Sequence, residues 1–318
     1  MPERHVILGG RGFIARHVAL RLLEAGQSVT IVARHNTVDL LPEQVRKLCP
    51  VIVAELGSAD WDDLVADADV VHHYAWSSIP ASANANPSGD LRANVDPTIS
   101  LLDALRRRGG GRVVFSSSGG TVYGKVDRVP VPEEHPLAPI NAYGAGKAAG
   151  EIFFGLYRSM YDVDCRIARI ANAYGAGQDP KRGLGAVTTF LHQALNDQPI
   201  TIWGGGDTIR DYIHVSDISE FLVSLSQAPR SDSFIFNVGS GFGTSLNDIV
   251  SEIERQLGRS PVVQRMEHRS FDVPVSVLSI EKAAAVLGWH PRLSFSQGFA
   301  LTFADIREGK TCSTLIKG

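Results

Sequence analysis

The run Gly9-Gly10-Arg11-Gly12-Phe13-Ile14-Ala15 constrains the fold of this chain more than any other feature. It follows a short β-like run at residues 5–8 and opens a helical pattern that continues through Leu23 and closes at Gly26. Residues 28–32 form a second β-like run, so the unit has the length of a βαβ crossover, which joins parallel strands. Glycines at such a turn let the backbone approach a pyrophosphate, which then sits on the free N–H groups of the helix start. Glycine spacing alone is a weak signal, but between a strand and a helix it marks a dinucleotide site.

The end of the second β run indicates which dinucleotide. An acidic residue there takes both ribose hydroxyls of NAD, whereas a basic one accommodates the 2′-phosphate of NADP. This chain reads Val32-Ala33-Arg34-His35, without a carboxylate. Arg34 and Arg11, both guanidinium forks, have the chemistry to clamp a phosphate. The expectation is NADP or NAD, with NADP favoured.

Further units alternate in the same way. Residues 51–54 read as a strand, 61–65 as a short helix and 69–74 (DVVHHY) as another strand. A well-patterned helix follows at 91–107, from which Asn94 would point toward the sheet, and then a strand at 112–115. His72 and His73 have no accompanying ligand pattern and read as packing residues. A helix through Tyr157 and a strand at 165–170 complete the series, which predicts an α/β fold: a doubly wound parallel sheet with helices on both faces. Beyond Ile170 the rhythm breaks into glycine-rich and polar stretches, which predicts a smaller mixed α/β domain. The expected division is 1–172, with 211–240 returning to it, for the dinucleotide domain, and 173–210 with 241–318 for the second.

Residues 116–147 carry the chemistry. The sequence SSSGGTVYG ends an apolar run, and Tyr143 and Lys147 follow in YGAGK at i,i+4 spacing. On a helix that spacing puts phenol and ammonium on one face. An ammonium beside a phenol favours the phenolate, which can exchange a proton with an alcohol near neutral pH. Taken alone, YxxxK is equally readable as an ordinary amphipathic pair.

Composition removes other classes. A net charge of −3 over 318 residues gives no electrostatic footprint for nucleic acid or an anionic membrane. No apolar run is long enough to span a bilayer, and apolar sequence begins at Val6, which leaves no room for a signal peptide. Cys49, Cys165 and Cys312 are dispersed without metal-ligand spacing. The expectation is a reduced, cytoplasmic protein without a metal.

Together GGRGFIA, DVVHHYA, VVFSSSGGTVYG, YGAGK, RIANAYGAGQ, WGGGDTIRDYIHVSDI and RSFDV resemble the extended short-chain dehydrogenase/reductase family, in its nucleotide-sugar epimerase/dehydratase branch. The resemblance covers nearly the whole chain. It implies a Rossmann domain for NAD(P) and a small C-terminal domain for a nucleoside-diphosphate sugar. It makes Tyr143 and Lys147 the catalytic pair, with Ser118 or Thr121 polarising the substrate oxygen. The cofactor surface it implies comprises Gly9, Gly12, Phe13, Ile14, Leu56, Ala75, Asn94 and Lys147, to which the charge argument above adds Arg11 and Arg34. Asn172 would hold the sugar or its phosphate, Arg210 and Arg269 the pyrophosphate, and Asp272 would lie near the nucleotide ribose. Family habit implies a homodimer through the helices at 91–107 and 148–160.

Three departures from the family pattern bear on these expectations. Ala15 stands at the third glycine position, Ala33-Arg34 replaces the ribose carboxylate, and the catalytic hydroxyl is ambiguous. Counting from the strand points to Ser118, whereas counting back from Val122-Tyr123-Gly124 reaches Gly119 and leaves Ser118 or Thr121. A 4,6-dehydratase would carry an Asp-Glu pair after that hydroxyl, where this chain has only glycine and threonine. That leaves an NDP-sugar 4-epimerase or an NADPH-dependent 4-keto-sugar reductase. A dinucleotide-sensing protein without activity is the remote third reading, because fold does not fix function.

Overall fold

The β-branched runs become strands and the runs between them become helices in the computed structural model, which describes residues 1–35, 41–182, 185–267 and 273–310. The first elements are β1 (Arg4–Leu8), α1 (Phe13–Glu24), β2 (Ser28–Ala33), α2 (Glu43–Leu48), β3 (Val51–Val53), α3 (Trp61–Val65) and β4 (Val70–His73). They continue with α4 (Pro80–Ala85), α5 (Pro87–Arg107), β5 (Arg112–Ser118), α6 (Ala142–Tyr161) and β6 (Asp164–Ile170). The rest are β7 (Asn172–Tyr174), α7 (Ala186–Leu195), β8 (Ile200–Trp203), β9 (Ile209–His214), α8 (Val215–Gln227) and β10 (Ile235–Val238). The chain closes with β11 (Gly243–Ser245), α9 (Leu246–Leu257), β12 (Val263–Met266), β13 (Val275–Ser276), α10 (Glu281–Leu287) and α11 (Phe295–Arg307).

A seven-stranded Rossmann-like sheet runs in the order β10-β6-β5-β4-β1-β2-β3. Its β1–β2, β2–β3, β1–β4 and β4–β5 pairings are parallel. Val6, Leu8, Val71, Val113 and Phe115 point into one core with residues of α3, α5 and α6. The alternate residues Ile7, Ile31, Val70 and Val114 are equally buried, as they are only when both faces of a sheet are covered. The strand order reverses between β1 and β4. In open α/β sheets that switch point opens a crevice at the carboxyl ends of the strands.

The chain forms two compact units. The first comprises residues 1–124, 136–169 and 219–236, and the second 125–135, 170–218 and 237–318. In the second unit, β9 pairs with β7, β11 and β13, and β8 pairs with β12. Its core gathers Tyr174, Phe190, Leu191, Ile202, Tyr212, Ile253 and Phe299.

Several elements lie outside the sequence reading. Helix α5 begins at Pro87, four residues before the expected start, because the Asn86 side chain accepts from the Gly89 N–H and Pro occupies the first turn. Helices α2, α4 and α10 are each a turn or two long, too short for apolar periodicity to register. Among the described residues no helix is long and apolar enough to cross a membrane, and no acidic, histidine and cysteine cluster could hold a metal ion.

Candidate active site

The crevice at the switch point is lined by the turn after β1 and the loop after β4. Gly9 has a φ of +74°, and a Cβ there would lie 2.7 Å from the Ala75 Cα. No other residue type fits both the left-handed conformation and this close approach. Helix α1 starts from Gly12 with no side-chain cap and no acidic residue in its first turn. Its leading N–H groups, at the half-buried Phe13 and Ile14, retain the positive end of the helix dipole. Ala15 is almost fully buried, so a methyl group is accommodated at the third glycine position. This cradle fits a dinucleotide pyrophosphate. Arg11 is half-buried in the turn, and its Nε is buried without a hydrogen-bond partner among the described residues. Arg34 is exposed just past the end of β2, while Leu56 packs against the core.

Asn94, on α5, is bonded to the loop after β4 and to its own helix. Its Oδ1 accepts from the Ser77 N–H at 2.7 Å and the Ser77 hydroxyl at 3.0 Å. Its Nδ2 donates to the Asp90 carbonyl at 3.0 Å and to the Asp90 carboxylate at 2.9 Å. The amide has then used its full hydrogen-bonding capacity. It fixes the loop after β4 to α5 and so sets where Ala75 and Trp76 lie.

The two residues of YxxxK sit in the first turns of α6, which Asn141 caps through the Gly144 N–H. The Lys147 Nζ donates to the Ser116 carbonyl at 2.7 Å and lies 5.9 Å from the centre of the Tyr143 ring. Lys147 is only 3% exposed, and burial pushes its pKa down from the usual lysine range to about 7, against the charges of Glu151 and Asp90. Aromatic rings surround the ammonium: Trp76 is centred 3.9 Å away and Phe115 4.7 Å away. Trp76 also meets Tyr143 edge-on at 6.3 Å. A Cβ on Gly146 would come within 3.2 Å of the indole. A glycine inside a helix costs roughly 1 kcal/mol relative to alanine, and here its missing side chain is what admits the ring.

The two candidate hydroxyls differ. Thr121 Oγ1 turns back to the Ser118 carbonyl at 3.4 Å, whereas the Ser118 hydroxyl at the end of β5 has no partner among the described residues. Beside them lies a network that the sequence reading missed. Arg169 binds Glu151 through Nε at 3.0 Å and Nη2 at 2.7 Å, and its Nη1 donates to the Tyr123 hydroxyl at 2.8 Å. The Ser117 hydroxyl donates to the same Glu151. Glu151 stands one turn after Lys147 on α6, so the i,i+4 rule would have found it.

In the second unit, Asn172 opens β7 and donates to the Asp211 carbonyl at 3.0 Å. Arg210 is half-buried on β9, where its Nη1 donates to the Ile209 carbonyl at 2.8 Å. Its neighbour Asp211 is buried and accepts from Ser240, Gly241 and Leu278, tying β9 to two other segments. Burial raises the Asp211 pKa against those hydrogen bonds. Arg269 and Asp272 lie outside the described residues.

Residues 5–239 match the model of the NAD dependent epimerase/dehydratase family. The UDP-glucose 4-epimerase of Mycolicibacterium smegmatis is 32% identical, over 96% of this chain and 98% of its own. The dTDP-4-dehydro-6-deoxyglucose reductase of Escherichia coli is 29% identical, over 95% of this chain and 97% of its own. The crystal structure of the Thermus thermophilus UDP-glucose 4-epimerase in complex with NAD superimposes with a TM-score of 0.87 at 29% identity, covering 96% of this chain and 99% of that one.

Proposed function

The chain belongs to the NAD dependent epimerase/dehydratase family, and on that premise we propose that it inverts C4 of a nucleoside-diphosphate sugar, most directly a UDP-hexose, through a 4-keto intermediate. One observation carries the reading: Lys147, buried and held to the Ser116 carbonyl, stands one turn from Tyr143 beside the strand end that bears Ser118. Tyr143 takes and returns the proton at the C4 oxygen, and Lys147 supplies the positive field that favours its phenolate. Ser118, whose hydroxyl is uncommitted, donates to the same oxygen, while Thr121 shapes the turn. A nicotinamide dinucleotide bound on the Gly9–Gly12 turn supplies hydride chemistry at C4. Asn172 and Arg210 hold the sugar and the pyrophosphate, and Arg269 and Asp272 take the roles implied by resemblance. Buried, free Cys49 and Cys165 accord with a cytoplasmic location.

The second reading, an NADPH-dependent 4-keto-sugar reductase, is favoured by Arg34 and Arg11 at the place where a 2′-phosphate would lie. One experiment separates the two. Incubation with UDP-glucose should give UDP-galactose without net loss of reduced cofactor, whereas stoichiometric NADPH consumption on a 4-keto sugar without epimerisation would refute the first reading. Run with NADP and NAD in turn, the assay should favour NADP, and Arg34→Ala should remove that preference. An unchanged preference would show that Arg34 does not read the phosphate.

A homodimer belongs to the same proposal. Ile152, Leu156 and Met160 repeat at i,i+4 along α6 and are 67, 40 and 62% exposed, an apolar stripe on the face of the helix turned from the core. Leu156→Glu should convert the protein to a monomer in sedimentation-velocity experiments. A wild-type protein that already sediments as a monomer overturns the proposal.

A further inference from the structure

We propose that Trp76 is a positioning residue for the acid–base pair, its indole face holding the Lys147 ammonium charged and in place beneath Tyr143. The inference rests on the reading of Tyr143 and Lys147 given above, but its evidence is separate. The Nζ lies 3.9 Å from the indole ring centre, well inside the distance at which a cation is attracted to an aromatic face, and Trp offers the strongest such face. The same ring meets Tyr143 edge-on, so one side chain touches both members of the pair. Its place is fixed from two sides: Gly146 leaves the space it fills, and the Asn94–Ser77 hydrogen bonds hold the adjoining loop.

The ammonium needs this support. Each element around it contributes a named group: β5 gives the Ser116 carbonyl and the Phe115 ring, α5 gives Asp90, and α6 gives Glu151 and Tyr143. Strand β4 gives His73, which burial, and then the Lys147 charge, hold neutral with a pKa of about 3. Glu151 also binds Arg169 and Ser117, while its charge, with that of Asp90, still favours the ammonium. The indole is the aromatic face closest to Nζ, and it attracts the cation without competing for its proton. Burial opposes the charge, and the indole counters that opposition.

The test reads the ionisation of Lys147 directly, on protein without substrate. With lysine labelled at Cε, the Lys147 resonance, assigned by its loss in Lys147→Arg, is followed against pH. Trp76→Leu removes the aromatic face but keeps an apolar side chain. The Lys147 midpoint is expected to fall by roughly 0.5–1 pH unit in that variant, and by less in Trp76→Phe, which keeps a ring. A rise in the midpoint would mean that water entering the vacated space outweighs the lost ring, and either a rise or an unchanged midpoint overturns the proposal. If Trp76→Leu does not fold, Trp76→Phe carries the same sign test. In the turnover assay, kcat should fall with KM little changed, and the alkaline limb of kcat/KM should move to lower pH by the same amount. A uniform loss of kcat with no movement of that limb would indicate a structural role alone. A protein with the expected titration but no epimerase activity would refute the proposed function and leave this inference standing.

Discussion

Tyr143→Phe is expected to lower turnover by about two to four orders of magnitude, the range that a positioned proton-transfer group contributes. The substitution deletes one oxygen. It leaves the ring that meets Trp76 edge-on and does not touch the Asn141 cap of α6, so the fold and the Lys147 environment should survive. On the proposed function, affinity for the nucleotide sugar and for the dinucleotide should therefore be unchanged, because that reading assigns their binding mainly to other groups. Isothermal titration of the variant with UDP-glucose, beside steady-state turnover, separates the two effects. If activity stays within a few-fold of wild type, another group carries the proton and Tyr143 is an ordinary helix residue. In that case the remote reading, a dinucleotide-sensing protein, gains weight. Lys147→Met would not be as clean a test, since it also takes the ammonium away from the Trp76 and Phe115 rings and frees the Ser116 carbonyl.

The sequence was most legible where one physical requirement dominated. Gly9 had to be glycine, because its φ and the approach of Ala75 leave no alternative, and a glycine between a strand and a helix is visible without a structure. The i,i+4 spacing of Tyr143 and Lys147 was visible for the same reason: helical geometry alone brings them together. The NAD dependent epimerase/dehydratase family followed from the joint set of motifs, and the family match over residues 5–239 agrees with it. What stayed hidden depends on contacts between segments distant in the chain. Trp76 follows a strand by only a few residues, and nothing local says that its ring will cross to α6 and cover Lys147. Asn94 suited a cofactor contact by position, and only the hydrogen bonds from Ser77 and to Asp90 reveal that its amide is fully used. The hydroxyl ambiguity arose from an alignment that could be counted from either end. In the structure the Thr121 hydroxyl is bonded to the Ser118 carbonyl, whereas the Ser118 hydroxyl has no partner among the described residues.

Arg169 was equally silent in the sequence, and its replacement should have the largest effect on stability. It lies on β6 at 3% exposure, and Glu151 on α6 is as deeply buried. The two are joined through Nε and Nη2 of the guanidinium, and the carboxylate also accepts from Ser117. Arg169→Met leaves Glu151 as a buried charge without its cation and leaves the Tyr123 hydroxyl without this donor. Removing one member of a buried ion pair costs about 3–5 kcal/mol, which is a large part of the stability of most domains. The measurement is the urea midpoint at constant slope. Replacing both members, as in Glu151→Leu with Arg169→Met, should recover part of the loss, since the charges of the pair are removed together, although the Ser117 and Tyr123 hydroxyls lose partners and Lys147 loses a nearby carboxylate. The double-mutant cycle should therefore show a coupling of about 1–3 kcal/mol. Additive losses would mean that the pair does not act as a unit. Because Ser117 stands between Ser116, which holds Lys147, and Ser118, the doubly apolar variant should fold yet turn over more slowly than wild type. A folded double variant with full activity would show that the strand end is set by its neighbours in the sheet, and that the buried pair serves stability alone.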